Sequence, residues 1–269
     1  MSGAVMTYRV HAYNLSHASE NRIHDDATAQ RFGFAGGLVP GVEVFAYACH
    51  PAVEHWGRAF LERGAIACGF QKPVYDGRIA TVTATPDADG LALRMESEGV
   101  LCATGRAKLP GDSAPGVDLA DWPMAAPPEE RPKAGDESLA PGRILGTRPL
   151  ALTEHALATY LRDAREADPL YAAEGFAHPG LVLRMCNRLL TENVLLGPWI
   201  HIGSDVRFLG VARRGESLTA RARVTGNIDR KGHRIVSLDA VVVADGARPV
   251  ARIIHDAIWR PRQVTEAGA

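Results

Sequence analysis

The sequence has few cysteines and almost no net charge, and each shortage excludes a class of protein. None of the four cysteines, at positions 49, 68, 102 and 186, is spaced as Cys-x-x-Cys. A zinc site or a disulfide framework is therefore not expected, and the thiols are interpreted as reduced core residues. The net charge is −1, which favours neither a nucleic acid nor an anionic membrane as a partner.

Targeting and cofactor motifs are also absent. There is no apolar run of about 18 residues and no signal-peptide pattern, so we expect a cytoplasmic protein. The chain has no Gly-x-Gly-x-x-Gly fingerprint, no phosphate loop and no Gly-x-Ser-x-Gly elbow. We therefore expect neither a bound metal nor a cofactor of the protein's own. Several histidines lack metal-ligand spacing and are interpreted as structural or exposed: His11, His17, His50, His55, His201, His233 and His255.

The length of the chain predicts two domains. Its 269 residues accommodate two domains of about 120–150 residues each. Residues 110–142 are rich in Pro, Gly, Asp and Glu and lack periodicity, so we predict a surface linker that Trp122 and Met124 anchor. The predicted domains are then 1–109 and 143–269.

The first half predicts one long helix and a meander of strands. Alternating and β-branched residues predict the following strands: 6–13, 65–70, 79–85, 91–97 and 100–108. Helical periodicity predicts a short helix over 25–32 and a long one over 42–63. Pro51 lies inside the long helix and predicts a kink or break near His50.

The second half repeats this outline. Its predicted strands are 144–152, 201–210, 217–227, 234–244 and 248–260, and its predicted helices are 154–166 and 181–195. In both halves, Gly-Phe and a later Gly precede a long helix and a run of strands. Such a duplication predicts an α+β fold in which two similar halves pair as a pseudo-dimer within the chain.

The segment 19–41 carries the candidate site. It contains Asn21 and His24 and ends in GFAGGLVPG at the start of the first long helix. Gly41, directly after a proline, suits a backbone N–H that must approach a ligand. A histidine a short helix away from such a donor can serve as an acid or a base, although the same residues also occur in inert loops.

This segment resembles the hydratase motif of the MaoC-like, (R)-specific enoyl-CoA hydratases and dehydratases, which have the hotdog fold. The residues in register are Asn21, Ile23, His24, Asp26, Ala29, Gly33, Phe34 and Gly41. Ser19 stands where the family has its catalytic aspartate, with Glu20 beside it. Arg22 replaces the family's proline, and Pro40 replaces the histidine before the last glycine. The resemblance implies a double hotdog with its site at the seam between the halves.

The resemblance also implies an activity, that of an acyl-thioester hydratase or dehydratase acting on enoyl-CoA or 3-hydroxyacyl-CoA. His24 is then the acid or base, and the Gly41 N–H is the oxyanion donor. Asn21 is expected to fix the loop as an Asx-turn, and Asp26 to cap the helix or orient His24. The full catalytic set is His24, Gly41, Asn21, Glu20, Ser19 and Asp26, and Pro40 and Val42 are expected to touch the substrate.

The second half offers further candidates. The family's Asp and His positions fall on Glu166 and Tyr171, a poor dyad because the ordinary pKa of tyrosine is about 10. Arg184 and Asn187 lie three residues apart on the next helix and share a face. The expected substrate-binding residues of this half are His178, Gly180, Arg184, Asn187 and Arg207. Arg207, Arg213 and Arg214 could meet coenzyme A phosphates, although ordinary surface charge is the simpler interpretation.

The serine at position 19 leaves alternatives open. The protein could bind acyl-CoA or an acyl carrier without turnover, or act as a thioesterase through Glu20 or Glu166. A structural subunit that completes a partner's site is a further alternative. In every case the expected ligand is an acyl thioester that carries its own coenzyme A or acyl carrier. A homodimer or higher oligomer is compatible with the sequence.

Overall fold

The computed structural model describes residues 4–16, 19–111 and 116–262, which form one eleven-stranded antiparallel sheet. His17, interpreted above as structural or exposed, lies outside this part of the chain. The first half contributes β1 (Met6–His11), β2 (Ala65–Phe70), β3 (Ile79–Asp87), β4 (Gly90–Ser97) and β5 (Val100–Lys108). Its helices are α1 (Asp26–Arg31), α2 (Gly41–Trp56) and α3 (Arg58–Arg63), after a short 3-10 helix at Arg22–His24.

The second half repeats the arrangement. Its strands are β6 (Ile144–Gly146), β7 (Leu150–Ala151), β8 (Ile200–Phe208), β9 (Ser217–Arg230), β10 (His233–Ala244) and β11 (Arg248–Arg260). Its helices are α4 (Glu154–Asp163), α5 (Pro169–Glu174) and α6 (Pro179–Thr191). The strand order is β1-β3-β4-β5-β2-β8-β11-β10-β9-β6, and β7 pairs with β9.

The two halves join through an antiparallel seam between β2 and β8. Ala65 pairs with Arg207 at one end of the seam, and Gly69 pairs with Gly203 at the other. Backbone hydrogen bonds across the seam make the two sheets continuous, so residues at the start of β8 reach the first half.

Helices α2 and α6 pack against each other in a core shared by the two halves. Phe45 and Cys49 on α2 and Leu183 on α6 are fully buried. The helices approach closely because position 180 is glycine. A Cβ there would collide with the Tyr160 hydroxyl and lie 2.7 Å from the Ala46 Cβ. Since α2 is apolar on most of its faces, it is buried as a core helix rather than a surface one.

The predicted α+β arrangement is confirmed, and most predicted strands agree with the structure to within three residues. The predicted strand 144–152 is divided into β6 and β7. The break predicted near His50 is wrong, because α2 continues through Pro51 and ends at Trp56. The missing N–H of Pro51 costs one hydrogen bond, which the burial of α2 offsets. The chain instead breaks at Gly57, whose φ of 58° suits glycine.

The predicted linker packs against the sheet at one of its two expected anchor residues. Trp122 is buried against Val241 and Val243, and its indole N–H donates to the Asp239 carbonyl at 3.2 Å. Met124 is 73% exposed, so its predicted anchoring role is wrong. Across the described ranges, no helix has both the length and the apolar character needed to cross a membrane.

Candidate active site

Two cavities meet beside the segment that carries His24. The apolar cavity, of about 320 Å³, is lined by side chains such as Ile23, Leu38, Val44 and Phe70. The arginine-rich cavity, of about 650 Å³, is lined by Arg131, Arg148, Arg184 and Arg188 among others. The residues that line both cavities are Asn21, His24, Asn187 and Trp199. The junction therefore lies between the halves, with a histidine of the first half opposite α6 of the second.

The ring of His24 is held in one tautomer. Its Nδ1 lies 2.7 Å from the Leu38 carbonyl oxygen, which can only accept a hydrogen bond. Nδ1 therefore carries the proton of the neutral ring, and Nε2 presents its lone pair. Nε2 lies 3.3 Å from the Asn21 amide nitrogen. This contact is long for a hydrogen bond, so a stronger donor on a ligand can replace it.

Asn21 ties the His24 segment to the second half. Its side-chain oxygen accepts from the Trp199 N–H at 3.2 Å, and its amide nitrogen donates to the Trp199 carbonyl at 2.9 Å. The same oxygen also accepts from the Ile23 N–H at 3.4 Å, which is the Asx-turn contact that the sequence predicts. Asn21 thus fixes the position of His24 relative to both cavities.

Gly41 begins α2 at the edge of the apolar cavity. Its N–H lies at the positive end of the helix dipole, and none of the residues in the described ranges accepts a hydrogen bond from it. The sequence analysis explains the glycine by the approach of a ligand, but the structure adds a second reason. A Cβ on Gly41 would lie 2.6 Å from Nδ1 of His201 and 3.0 Å from its Cβ.

We expect Gly41→Ala to displace the His201 ring and to destabilise the fold by about 1–3 kcal/mol, the usual cost of an overpacked core. Urea unfolding of Gly41→Ala, His201→Ala and the double variant measures this. If the clash causes the loss, the double variant is no less stable than His201→Ala alone. Full additivity of the two losses would contradict a contact between these residues.

The side chains of Ser19 and Glu20 form hydrogen bonds with partners other than the His24 ring. The Ser19 hydroxyl donates to the Asn21 carbonyl at 3.3 Å. The Glu20 carboxylate is 73% exposed and accepts from Arg131 of the linker at 2.9 Å. The hydrogen bond from Arg131 lowers the pKa of Glu20, so this group stays ionised and paired at the mouth of the arginine-rich cavity.

The Asp26 side chain supports the loop before α2. Its carboxylate accepts from the Gly37 N–H at 2.6 Å, whereas Asp25 is the residue that caps α1, through the Thr28 N–H. The sequence predicts that Asp26 caps the helix or orients His24, and the predicted capping is wrong because Asp25 takes that position. By fixing the glycine-rich loop, Asp26 helps to set where α2 begins.

The expected substrate-binding residues are divided among several places. Pro40 lines the apolar cavity, and Val42 is fully buried and belongs to the lining of neither cavity. Arg184 and Asn187 line the arginine-rich cavity, and the Asn187 side-chain oxygen is buried without a hydrogen-bond partner. Arg207 pairs with Ala65 in the seam and lines neither cavity.

In the second half, the position that corresponds to Gly41 has no N–H left for a ligand. Gly180, like Gly41, lies at the start of a long helix, but its N–H donates to Nδ1 of His178 at 3.0 Å. The other ring nitrogen of His178 lies 3.2 Å from Glu166, whose second oxygen lies 2.8 Å from His50. Tyr171 packs on the His178 ring with centroids 4.6 Å apart. The helix-start donor is already used here, so the first half carries the open site.

The Glu166 cluster, formed by Glu166, His50 and His178, is charged although it is buried. Burial opposes the charge on Glu166, but hydrogen bonds from both histidines outweigh it and hold the pKa of the carboxyl well below its usual range. Burial also disfavours a charged His50, yet the hydrogen bond and charge of Glu166 raise the pKa of that ring. The cluster therefore contains a buried ion pair across the two halves.

Sequence reasoning missed several residues that line one or both cavities, above all His201, Trp199, Arg131 and Arg148. His201, which the sequence indicates as structural or exposed, is buried, and its place in the lining of the apolar cavity has no signal in the sequence. Arg131 lies within the predicted linker, and Arg148 lies within the predicted strand 144–152. No local pattern marks them, since each reaches the cavity through the packing of the second half on the first.

Comparison with solved structures gives the fold a name, the double hotdog. The chain matches a conserved hypothetical protein from Mycobacterium tuberculosis with a double hotdog fold at a TM-score of 0.65 and 15% identity, over 96% of both chains. It also matches a protein assigned as a MaoC-domain dehydratase from Chloroflexus aurantiacus at a TM-score of 0.62 and 11% identity, over 96% of this chain and 95% of the other. A structure described as a MaoC-like dehydratase matches at 0.62 and 13%, over 95% and 98% of the two chains.

These matches confirm the double hotdog fold predicted from the sequence. No protein-family model matches the chain, and no curated protein matches it. At 11–15% identity the solved structures establish the architecture alone. The activity has to be argued from the residues of the junction.

Proposed function

We propose that the protein is an acyl-thioester hydratase or dehydratase whose reaction takes place at the junction of the two cavities. One observation carries the proposal: an apolar cavity and an arginine-rich cavity meet at a junction that His24 lines. An acyl thioester has the same division, with an apolar chain on one side of its carbonyl and a phosphate-bearing carrier on the other.

The apolar cavity suits the acyl chain. At the packing density of proteins, about 320 Å³ holds on the order of ten methylene-sized groups. Each methylene that leaves water contributes about 0.8 kcal/mol to binding. The volume therefore favours short and medium chains.

The arginine-rich cavity suits the phosphates of coenzyme A or of an acyl carrier. Three of its arginines are paired with carboxylates of the protein, namely Arg131 with Glu20, Arg184 with Glu43 and Arg188 with Glu192. The Arg148 side chain makes no ion pair with any residue in the described ranges and is exposed. It is the guanidinium best placed to bind a phosphate through charge-assisted hydrogen bonds.

The chemistry requires proton transfer, which His24 can supply. In hydration, the oxygen of a water bonds to carbon 3 of the enoyl thioester while a proton is added to carbon 2. His24 Nε2 can accept a proton from the water, and the protonated ring can then return one to the substrate. The Gly41 N–H, at the start of α2, can stabilise negative charge on an oxygen.

Turnover of short and medium enoyl-CoA substrates tests the proposal. We expect the absorbance of the conjugated thioester to fall in the presence of the protein, with a His24→Ala variant as the control. Release of free thiol from acyl-CoA would indicate a thioesterase instead. Binding of acyl-CoA by calorimetry without any turnover would indicate a binding protein and would contradict the proposed activity.

We expect Arg148→Ala to raise the KM for coenzyme A thioesters about tenfold and to leave kcat unchanged. Loss of one charge-assisted contact costs about 1.5 kcal/mol, which corresponds to roughly tenfold in affinity. The effect should shrink for a substrate truncated to its pantetheine part, which lacks the coenzyme A phosphates. Arg94→Ala, at an exposed ion pair with Glu96 on β4, is the matched control. An unchanged KM in Arg148→Ala would place the phosphates elsewhere.

A further inference from the structure

His201, near the start of β8, lines the apolar cavity but has no role in the proposed proton transfer. It is 5% exposed, and its Nδ1 is buried without a hydrogen-bond partner. A buried acceptor that lacks a partner costs about 1–3 kcal/mol, and this cost needs a physical reason.

The contacts of His201 fix its tautomer. Nε2 lies 3.0 Å from the Gly203 carbonyl oxygen, which can only accept, and 2.8 Å from the Ser204 hydroxyl oxygen. Nε2 therefore carries the proton, and Nδ1 is the acceptor. The Ser204 hydroxyl is then free to donate to Nδ1 of His255 at 3.1 Å. Burial lowers the pKa of His201 to about 3, which keeps the ring neutral.

The acceptor on His201 and the donor on Gly41 are close enough to share one oxygen atom. A Cβ on Gly41 would lie 2.6 Å from His201 Nδ1. Because a Cβ lies about 2.5 Å from its own backbone nitrogen, Nδ1 is at most about 5 Å from the Gly41 nitrogen. Two hydrogen bonds of about 2.9 Å each span such a distance, so a single oxygen can bridge the two nitrogens.

Only an oxygen that both accepts and donates fits between them. A thioester carbonyl can accept from the Gly41 N–H, but it would then face the lone pair of His201 Nδ1. A hydroxyl or a water accepts from Gly41 and donates to His201, and so satisfies both. We propose that Gly41 N–H and His201 Nδ1 together recognise a hydroxyl group, either that of a 3-hydroxyacyl chain or the water that adds to the enoyl chain.

This inference rests on the proposed function for the identity of the ligand, and it changes the role expected for Gly41. From the sequence, the Gly41 N–H is expected to bind the thioester oxygen. The neighbouring lone pair on His201 assigns it to the oxygen bound at carbon 3. Ser204 and His255 act behind His201 as positioning residues, because they hold its ring with Nδ1 turned toward Gly41.

Calorimetry with two ligands that differ by one hydroxyl tests the inference. The wild-type protein should bind a 3-hydroxyacyl-CoA about tenfold or more tightly than the saturated acyl-CoA of equal length, since a polar site rejects an analogue that lacks its partner. His201→Leu should remove this difference, which is read as the ratio of the two affinities measured on the same variant. His201→Asn, which keeps an acceptor near the Nδ1 position, should retain part of it.

The matched control is His233→Leu, because His233 also lines the apolar cavity but its Nδ1 already accepts from the Arg262 N–H at 3.2 Å. Equal affinity of the wild-type protein for both ligands would overturn the inference and leave the proposed function intact. If neither ligand binds, the proposed function fails, and a crystal structure of the protein alone decides the inference. An ordered water within hydrogen-bond distance of both nitrogens supports it, and a water bound to only one of them, or to neither, overturns it.

Discussion

Replacing His24 by alanine is expected to lower turnover of an enoyl or 3-hydroxyacyl thioester by about 10²–10⁴-fold, the usual range for a general acid or base. His24 is one of the four residues that line both cavities, and its tautomer leaves Nε2 as the proton acceptor. The loss should appear in kcat more than in KM, because the acyl chain and the carrier keep their own contacts. Steady-state kinetics with enoyl-CoA measure both constants.

The control for this prediction is His11→Ala, since His11 is exposed on β1 and pairs with Ile79 away from both cavities. Thermal unfolding of each variant shows whether the fold is retained. A His24→Ala protein with wild-type kcat would exclude His24 as the acid or base. A variant that loses stability and activity in parallel would indicate that His24 only supports the loop.

Glu166→Gln is expected to have the largest effect on stability, about 3 kcal/mol or more. The carboxylate is 3% exposed and contacts His50 at 2.8 Å and His178 at 3.2 Å. Removal of one partner from a buried ion pair leaves the other charge without compensation, which typically costs 3–5 kcal/mol. Urea unfolding at pH 6 measures the loss. Glu154→Gln, at an exposed pair with Arg214, is the control and should change stability by less than about 1 kcal/mol.

The pH dependence of this loss follows from the two shifted pKa values. The pKa of Glu166 is lowered in the folded protein, so its contribution is present above the ordinary value of 4.5 and is lost as the pH falls. The pKa of His50 is raised, so its contribution is present below the ordinary value of 6.5 and is lost as the pH rises through the folded value. The difference between wild type and Glu166→Gln should therefore be largest between pH 4.5 and 6.5. A difference that is flat from pH 4 to pH 9 would contradict the ion pair.

The fold is largely predictable from the sequence because its signals are local. The apolar stripe of α2 and the alternation in the strands give the elements. His24 and Gly41 also line one cavity, and both lie within the short segment 19–41. The helix break predicted near His50 is wrong. Helix α2 continues through Pro51, because the packing of a buried helix outweighs one missing hydrogen bond.

The rest of the site depends on contacts that no local pattern encodes. His201 reaches Gly41 only because β2 and β8 pair across the seam and place the start of β8 beside α2. The same packing, rather than any motif, lets the Gly180 N–H donate to His178. The Gly41 N–H has no acceptor among the described residues. Glu20 stands beside the family's acidic position in sequence, yet its pairing with Arg131 of the linker draws it to the cavity mouth.

The most direct test is a crystal structure with a non-reactive analogue of a medium-chain acyl-CoA in which a methylene separates the sulfur from the carbonyl. We expect the acyl chain in the apolar cavity, the phosphates near Arg148, and the carbonyl at the junction within hydrogen-bond or van der Waals contact of the His24 ring. A ligand that lies outside both cavities, or that crosses the junction with its carbonyl away from His24, would contradict the account.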